Sequence, residues 1–319
     1  MIDDARPPSS KACIEVTALS KRFAASSAVD SLSFSVARGE IFGLVGPDGA
    51  GKTTIMRMLA GVMRPDAGSI TVDDVDVIAE PERAKRHLSY MPQRFGLYED
   101  LTTDENIRFF ADLFGIDARV REDRAVRLLA ASGMTPFRRR LAGQLSGGMK
   151  QKLGLICSLI HTPRVLLLDE PTTGVDPVSR REFWAILYSL REDGVTIVIS
   201  TSYLDEAERC GRLALLHAGR LFQCDTPNAL KERLHGAIIA VATTAPREAK
   251  AALEGLQGIV SVLLVGSGLH VMVDDAVRRV PELRARLMAR GIPIEEVASV
   301  APSIEDLFVA FLQDDRKAA

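Results

Sequence analysis

The sequence has little of what marks a nucleic-acid-binding surface. Lys and Arg together number 40 against 42 Asp and Glu, which gives a formal net charge of -2 at pH 7 over 319 residues. Aromatic residues make up only 5% of the chain. Because nucleic-acid binding relies on clustered basic side chains and on rings that stack on bases, this composition predicts no nucleic-acid partner.

The sequence also lacks the apolar runs of a membrane-spanning or secreted chain. No run approaches the ~20 apolar residues that a helix needs to cross a bilayer. The N-terminus begins Met1-Ile2-Asp3-Asp4, without the basic-then-apolar order of a signal peptide. We therefore expect any membrane role to be exercised through a partner chain.

Cysteines are few and far apart. The four are Cys13, Cys157, Cys210 and Cys224, and no two of them have the spacing of a metal site or a redox pair. This usage is typical of small apolar residues in a reducing compartment.

Continuous apolar runs indicate parallel strands that are buried on both faces. The runs are Ile41–Val45, Val165–Leu168 and Val195–Ile199. A helix-rich insert, at about residues 86–160, separates the first run from the second. We expect a disordered leader over residues 1–12 and one α/β domain over residues 13–235.

Two apolar stripes at helical spacing lie in the insert. Thr102 and Glu105 are placed as a capping box that opens the first helix. The first stripe comprises Ile107, Phe110, Ala111 and Phe114, and the second comprises Leu153, Ile156, Cys157 and Ile160, before Pro163. Both stripes are interpreted as core rather than as a ligand site.

The pattern of predicted strands and helices changes over residues 236–319. Strands are predicted at Ala237–Ala242, Ile259–Val265, His270–Val273 and Ile294–Val300, and helices at Pro246–Leu256, Val280–Ala289 and Ser303–Leu312. The resulting order βαββαβα predicts a small α+β domain of ferredoxin-like type.

Residues 46–53 read Gly-Pro-Asp-Gly-Ala-Gly-Lys-Thr, which fits the phosphate-loop pattern G-x-x-x-x-G-K-[ST]. The segment follows an apolar strand and precedes a helical stretch, so a chance Gly-rich turn is the weaker interpretation. Backbone N–H groups and the helix N-terminus would face phosphates. The expected nucleotide-binding residues are Gly46, Asp48, Gly49, Ala50, Gly51, Lys52, Thr53 and Thr54. Lys52 would contact the β- and γ-phosphates, and Thr53 would ligate Mg²⁺.

An acidic pair, Asp169 and Glu170, follows the strand Val165–Leu168. Ligands of open α/β sheets bind at the carboxyl ends of the strands. Asp169 is expected to hold Mg²⁺, and Glu170 to polarise the attacking water as general base. Alone, such a pair could equally cap a helix. Together with the phosphate loop it predicts a nucleotide-hydrolysing site.

The stretch Leu145-Ser146-Gly147-Gly148-Met149-Lys150-Gln151 resembles the signature motif of the ATP-binding-cassette superfamily. Ser146, Gly147 and Gly148 would expose backbone N–H groups at the start of the helix Met149–Ile160. An ordinary Ser/Gly helix cap is the alternative. The resemblance implies a P-loop NTPase cassette with a RecA-like parallel core sheet, an antiparallel β part and a helical insert. It also implies two subunits that sandwich two ATP molecules head to tail.

Further positions resemble the family. Phe23 resembles the aromatic residue that stacks on adenine, although packing is the commoner role for such a residue. Gln93 resembles the glutamine that joins Mg²⁺ to the membrane-facing groove. Asp176 resembles the loop that communicates between the two nucleotide sites.

Two positions depart from the family pattern. Ser202 stands where the family usually has a His that touches the γ-phosphate. Serine is short and carries no titratable charge, so we expect slow hydrolysis or pairing with a cassette that carries the His. Asp48 stands where Asn is commoner, and its side chain is expected to turn to solvent or toward the partner.

The tail resembles the accessory domain of type-2 cassette exporters, best over residues 302–308, although Pro-Ser-x-x-Asp is also a generic helix start. The resemblance implies an ATPase at the cytoplasmic face of the membrane that exports drugs or other small molecules. It would dock on a separate integral-membrane permease through the apolar residues Phe95, Leu97 and Tyr98, unless these are buried in the insert. The alternatives are a regulatory or weakly hydrolysing partner cassette and a soluble non-transport cassette ATPase.

Overall fold

The computed structural model of the chain describes residues 12–24, 26–234 and 236–318. Apart from Ala12, the leader predicted over residues 1–12 lies outside these ranges. Within them, no helix is both long and apolar enough to cross a membrane.

The elements alternate between strands and helices along most of the chain. The strands are β1 (Ala12–Phe23), β2 (Ser26–Ala37), β3 (Ile41–Val45), β4 (Ala67–Val72), β5 (Val75–Asp76), β6 (Leu88–Met91), β7 (Val165–Asp169), β8 (Thr196–Thr201), β9 (Arg212–His217), β10 (Arg220–Asp225), β11 (Ala237–Ala242), β12 (Ile259–Val265), β13 (Gly268–Val273) and β14 (Glu296–Val300). The α-helices are α1 (Lys52–Leu59), α2 (Pro81–Ala84), α3 (Thr103–Leu113), α4 (Ala118–Ala131), α5 (Gly147–Leu159), α6 (Pro177–Glu192), α7 (Leu204–Ala207), α8 (Pro227–Glu232), α9 (Pro246–Leu253), α10 (Ala276–Ala289) and α11 (Ile304–Ala318).

The chain divides into two compact units, one reaching residue 206 and including residues 210–224, the other comprising residues 207–209 and 225 onward. The first unit contains a four-stranded antiparallel sheet in the order β2-β1-β4-β5 and a six-stranded sheet in the order β10-β9-β3-β8-β7-β6. In the second of these sheets, β6, β7, β8, β3 and β9 run parallel. The first unit is therefore built on the predicted parallel core with an antiparallel part.

The central strands are buried along their whole length. Every residue of β3, β7 and β8 is buried, which explains the unbroken apolar runs in the sequence. The predicted strands are confirmed, with β8 beginning one residue later and ending two residues later than expected. Because parallel strands end at one edge of the sheet, the segments after β3, β7 and β8 lie near one another.

The insert helices confirm the capping box and most of the predicted core. Thr102 Oγ1 accepts from Glu105 N at 3.2 Å, and Glu105 Oε2 accepts from Thr102 N at 2.8 Å. The second stripe is buried in one cluster with Ile107 and Ala111. The core prediction is wrong for Phe114, which is 48% exposed and stacks on the ring of His161. The reason is that α3 ends at Leu113, so Phe114 leaves the helical stripe.

All four cysteines lie in the described ranges and none forms a disulfide, and Cys13, Cys157 and Cys210 are buried. Burial raises the pKa of the Cys157 and Cys210 thiols well above the usual range. A thiol with a raised pKa is a poor nucleophile, so these side chains act as small apolar residues of the core.

The second unit has the element order βαββαβα over β11 to α11, as predicted. Its antiparallel sheet has the order β12-β13-β11-β14. Helices α9 and α10 pack on the sheet through Leu253, Leu283 and Leu287, in one cluster with Ile239 and Val271. Besides residues 207–209, the unit includes the chain from Asp225 onward, before its first sheet strand, because α8 packs on α11.

A buried ionic cluster ties the antiparallel sheet to the parallel one. Asp73 lies in the tight turn between β4 and β5 and is 5% exposed. Its Oδ1 accepts from Arg38 Nη1 at 2.6 Å, and its Oδ2 accepts from Arg164 Nη1 at 2.8 Å and contacts His87 Nδ1 at 2.7 Å. Burial raises the pKa of Asp73, but hydrogen bonds from Arg38, Arg164 and His87 together outweigh it and lower the pKa to about 2.

We predict that Asp73→Asn destabilises the fold in a pH-dependent way. The folded pKa of Asp73 is lower than the unfolded one, so the carboxylate contributes stability above about pH 4 that is lost as the pH falls toward 2. At pH 7 the free energy of unfolding should fall by about 2 kcal/mol, and the difference should shrink by pH 3. Urea unfolding at the two pH values measures this.

The matched control is Asp74→Asn in the same turn. The Asp74 side chain is 52% exposed and its contact with Arg38 is longer, at 3.4 Å, so its loss should cost less than about 1 kcal/mol. Equal effects of the two substitutions at pH 7 would contradict the assignment of stability to the buried carboxylate.

Candidate functional site

The segment between β3 and α1 has a backbone that only glycine fits at two positions. A Cβ at Gly46 would run into the carbonyl oxygen of Leu216, and one at Gly51 into that of Ala28. Gly51 also has φ 96°, in the left-handed region. No described side chain caps the N-terminus of α1. The first N–H groups of this helix are therefore available to an anion.

Lys52 joins this loop to the acidic pair. Its side chain is 5% exposed, and Nζ donates to the carbonyl oxygens of Gly46 at 2.7 Å and Pro47 at 3.1 Å. The same Nζ lies 2.9 Å from Glu170 Oε1. The ammonium group therefore lies between the glycine loop and a buried carboxylate.

Asp169 is fully buried at the end of β7, and its carboxylate accepts hydrogen bonds from three hydroxyl groups. Its Oδ1 accepts from Ser200 Oγ at 2.6 Å and from Thr53 Oγ1 at 3.2 Å. Its Oδ2 accepts from the Tyr90 hydroxyl at 3.2 Å. Two of the three expected metal ligands from the sequence, Thr53 and Asp169, are thus within hydrogen-bond distance of each other, whereas the third, Gln93, lies beyond β6.

Glu170 has a backbone conformation that is uncommon for a residue with a side chain. Its φ is 51°, in the left-handed region. Such strain persists where the surroundings hold it, and it is common at functional sites. Its N–H donates to Ser200 Oγ at 2.9 Å, while Oε2 accepts from Thr173 Oγ1 at 2.9 Å and from Ser202 Oγ at 3.2 Å. Ser202 therefore contacts the expected general base directly.

Three hydroxyl residues of this cluster were not anticipated from the sequence: Tyr90, Thr173 and Ser200. Burial, with the neighbouring Asp169 charge, raises the pKa of Tyr90 to about 12, so the phenol stays protonated as a donor. Ser200 lies opposite Asp169 in the pairing of β8 with β7. For Tyr90 and Ser200, the missing signal is the strand order that makes them neighbours of Asp169, whereas Thr173 lies only three residues after its partner Glu170.

A second group of predicted residues lies around the N-termini of α5 and α6. Ser146 Oγ caps α5 by accepting from Met149 N at 3.3 Å. A Cβ at Gly148 would come within 2.6 Å of the Ser179 side chain, so α5 begins directly against α6. Asp176 caps α6, and hydrogen bonds from Ser179 and Val178 lower the pKa of its carboxyl.

The structure thus separates the predicted residues into two groups. Lys52, Thr53, Asp169, Glu170 and Ser202 form one network. Ser146 and Gly147 are exposed, and among the described residues no hydrogen bond joins their group to the glycine loop.

The remaining predicted residues lie outside this network. Phe23 is 45% exposed at the end of β1, with Lys21 Nζ 5.8 Å from its ring centroid. Gln93 is exposed beyond β6, and Asp48 and Gly49 are exposed in the loop. Ala50 is buried and Thr54 is half-buried.

Residues 29–173 match the ABC transporter family. The chain is 34% identical over 301 residues to the daunorubicin resistance ATP-binding protein DrrA2 of Streptomyces coeruleorubidus, covering 93% of this chain and 94% of that protein. This chain belongs to the ABC transporter ATP-binding proteins. It is also 37% identical over 302 residues to the Nod factor export ATP-binding protein I of Rhizobium sp. (strain N33), with 94% and 97% of the two chains covered.

A third relative is longer than this cassette protein. The probable multidrug ABC transporter ATP-binding protein YbhF of Escherichia coli K12 is 43% identical over 307 residues. The match covers 94% of this chain and 52% of YbhF, so the chain spans about half the length of that relative.

Solved structures of cassettes share the fold. The structure of an ATP-binding subunit of an ABC transporter superposes with a TM-score of 0.63 at 31% identity, covering 69% of this chain and 92% of that one. The dimeric structure of the bacterial cassette MJ0796 superposes with a TM-score of 0.62 at 24% identity, covering 67% and 98%. The predicted P-loop NTPase fold class is confirmed.

The residues of the site fit the magnesium nucleotide that the family generally binds. The glycine loop and the uncapped start of α1 offer N–H donors, and Lys52 offers a buried ammonium. The hydroxyl of Thr53 and the carboxylate of Asp169 are oxygen donors of the kind that Mg²⁺ prefers. The donor set therefore suits a triphosphate with its cation.

Proposed function

We propose that this chain is the ATP-hydrolysing subunit of a membrane exporter. The observation that carries the proposal is the buried network in which Lys52 lies between the glycine loop and Glu170, beside Asp169 and Thr53. Lys52 would bind the β- and γ-phosphates, and Thr53 and Asp169 would hold Mg²⁺, which neutralises phosphate charge when bound. Glu170 would orient the attacking water and accept its proton.

Ser202 sets the expected rate of this reaction. Its hydroxyl donates to Glu170 Oε2 at 3.2 Å, so it supports the base. A serine reaches less far than an imidazole and carries no titratable charge. We therefore propose slow hydrolysis. The serine at this position, in place of the usual His, also favours the second candidate, a regulatory or weakly hydrolysing cassette in a heterodimer.

A second cassette is the expected partner at the nucleotide. The signature residues Ser146 and Gly147 are exposed and lie in a separate group from the glycine loop. Helix N-termini bind anions, so the start of α5 would contact the γ-phosphate bound by another copy. Asp176, which caps α6 beside this turn, would adjoin the shared interface. Phe23 would stack on adenine, and Gln93 would approach Mg²⁺.

An integral-membrane permease on a separate chain is the other proposed partner, docked beyond Gln93. In this region Phe95 packs on Phe110, with centroids 5.0 Å apart, and Leu97 packs against the core of the insert. Tyr98 is 47% exposed and packs edge-on against Phe109. Tyr98 is therefore the apolar residue of the cluster that is best placed to contact a coupling helix.

The cargo and location follow from the relatives and are proposed in the same way. The names of the relatives include daunorubicin resistance and Nod factor export. We infer export of drugs or other small molecules, with this chain peripheral at the cytoplasmic face. Residues 13–235 would form the cassette, with its helical insert at about 86–160, and residues 236–319 a ferredoxin-like accessory domain.

We predict that Lys52→Ala weakens ATP binding at least tenfold and reduces turnover to background, because the phosphates lose a buried charge-assisted donor. Titration with a fluorescent ATP analogue and phosphate release measure the two effects. Lys85→Ala is the control, because Lys85 is paired on the surface with Glu82 at 2.6 Å. Thermal unfolding checks that Lys52→Ala still folds after Glu170 has lost its ion-pair partner. Unchanged affinity and turnover in Lys52→Ala would overturn the proposal.

An imidazole at position 202 should raise the rate of ATP hydrolysis. We predict that Ser202→His increases ATP turnover, by up to about 10²–10³-fold if one transition-state contact is regained. Ser202→Ala, which loses the hydroxyl bond to Glu170 without gaining an imidazole, should be no faster than the wild type. Steady-state phosphate release compares the three proteins. A wild type as fast as Ser202→His would show that Ser202 does not limit hydrolysis.

Docking on a membrane chain predicts co-purification. The protein, extracted from its native membrane in mild detergent, should carry an integral-membrane chain that mass spectrometry identifies. Tyr98→Ala should reduce its recovery at least several-fold, while Phe114→Ala, which removes another half-exposed aromatic ring from the insert, should not. A purified protein without any integral-membrane chain would exclude the transport proposal and leave a non-transport ATPase.

A further inference from the structure

Two hydroxyl groups contact opposite oxygens of the Asp169 carboxylate from the strands on either side of β7. Ser200 lies on β8 and donates to Oδ1 at 2.6 Å. Tyr90 lies on β6 and donates to Oδ2 at 3.2 Å. In the register of the sheet, Ser200 lies opposite Asp169 and Tyr90 lies opposite Leu167. The two donors are thus held by the hydrogen-bond ladder of the parallel sheet.

Two such donors restrict the rotation of the Asp169 carboxylate about its last side-chain bond, which otherwise costs little energy. Rotation of an aspartate carboxylate about its last bond has broad minima, so one donor alone leaves the oxygens free to turn. Donors on both oxygens, each on a neighbouring strand, leave one orientation. Asp169 is fully buried, so water does not compete for its lone pairs. The direction in which the carboxylate offers its remaining lone pairs is therefore set by Tyr90 and Ser200.

We propose that Tyr90 and Ser200 are positioning residues that orient the Asp169 carboxylate for a divalent cation. The inference rests on the proposed function, in which Asp169 holds Mg²⁺. Neither residue belongs to the glycine loop, the acidic pair or the signature turn. Hydrogen-bond partners of metal-binding carboxylates typically contribute about 10–100-fold to metal affinity or activity, and their loss is felt through the ligand that they orient.

Ser200 has a second contact that Tyr90 lacks. Its Oγ accepts from the backbone N–H of Glu170 at 2.9 Å, at the residue whose φ is 51°. One serine hydroxyl therefore links the carboxylate that would bind the cation to the peptide that places the general base. Loss of this hydroxyl should disturb both Asp169 and Glu170, whereas loss of the Tyr90 hydroxyl removes bonds to Asp169 and to the Arg57 side chain and leaves Glu170 in place.

The position of Tyr90 on β6 connects the Asp169 carboxylate to Gln93, which follows Tyr90 three residues later in the chain. A shift of the end of β6 would therefore move a hydrogen-bond donor of the proposed magnesium ligand.

The test compares metal dependence with nucleotide affinity and does not rely on turnover. Fluorescence titration of the full chain with a labelled, non-hydrolysable ATP analogue is carried out in EDTA and at increasing Mg²⁺. Tyr90→Phe should raise the half-saturating Mg²⁺ concentration about tenfold, with unchanged affinity in EDTA. Tyr188→Phe removes a phenol hydroxyl from a ring on α6 that packs against Trp184, outside the hydrogen bonds to Asp169, and should behave as wild type.

Variants of Ser200 test whether a replacement that keeps the hydroxyl preserves the Mg²⁺ dependence. Ser200→Ala should raise the half-saturating Mg²⁺ concentration at least as much as Tyr90→Phe, and Ser200→Thr, which keeps the hydroxyl, should restore most of the wild-type value. Unchanged Mg²⁺ dependence in Tyr90→Phe would overturn the inference, as would an equal loss of affinity in EDTA, since that indicates a general structural effect. A wild type whose nucleotide binding ignores Mg²⁺ would instead overturn the proposed function.

Discussion

The structure of the candidate site depends on burying two carboxylates beside a single ammonium group. Asp169, Glu170 and Lys52 are each at most 6% exposed. Charges removed from water are tolerated only when partners compensate for lost hydration. Lys52 compensates one carboxylate, and hydroxyl groups surround both: Ser200, Thr53 and Tyr90 on Asp169, and Thr173 and Ser202 on Glu170. The remaining negative charge makes the site a natural receptor for a cation.

The parallel sheet is what makes this concentration of charge possible. Strands β3, β7 and β8 are buried throughout and end at the same edge, where the glycine loop, the acidic pair and Ser202 lie. The strands supply a rigid apolar support, and polar side chains are confined to their ends. The ionic cluster around Asp73 joins the antiparallel sheet to Arg164, next to the start of β7. It therefore stabilises the framework without taking part in the site.

The signature turn obeys a different constraint. Its glycines allow α5 to begin against α6, since a side chain at Gly148 would collide with Ser179. Ser146 and Asp176 satisfy the first N–H groups of their two helices, so this region is locally complete as a pair of capped helix starts. At the glycine loop, by contrast, no described side chain caps the start of α1. Two separate groups of predicted binding residues in one chain are consistent with the proposed sharing of nucleotide between two cassettes.

Local patterns were sufficient for much of this protein. The glycine loop, the buried strands, the capping box at Thr102 and the elements over residues 236–300 were predictable because each depends on residues close in sequence. The failure at Phe114 has a local cause too. The helical spacing continues through that residue, whereas α3 ends one residue earlier.

What the sequence by itself determined is the set of groups proposed to carry the chemistry: Lys52, Thr53, Asp169 and Glu170, each identified by a short motif. What only the tertiary structure decided is which side chains complete their hydrogen bonds. Tyr90 and Ser200 reach Asp169 because β6 and β8 flank β7, although they lie 79 and 31 residues away along the chain. No local pattern encodes that adjacency, because strand order results from the packing of the whole sheet.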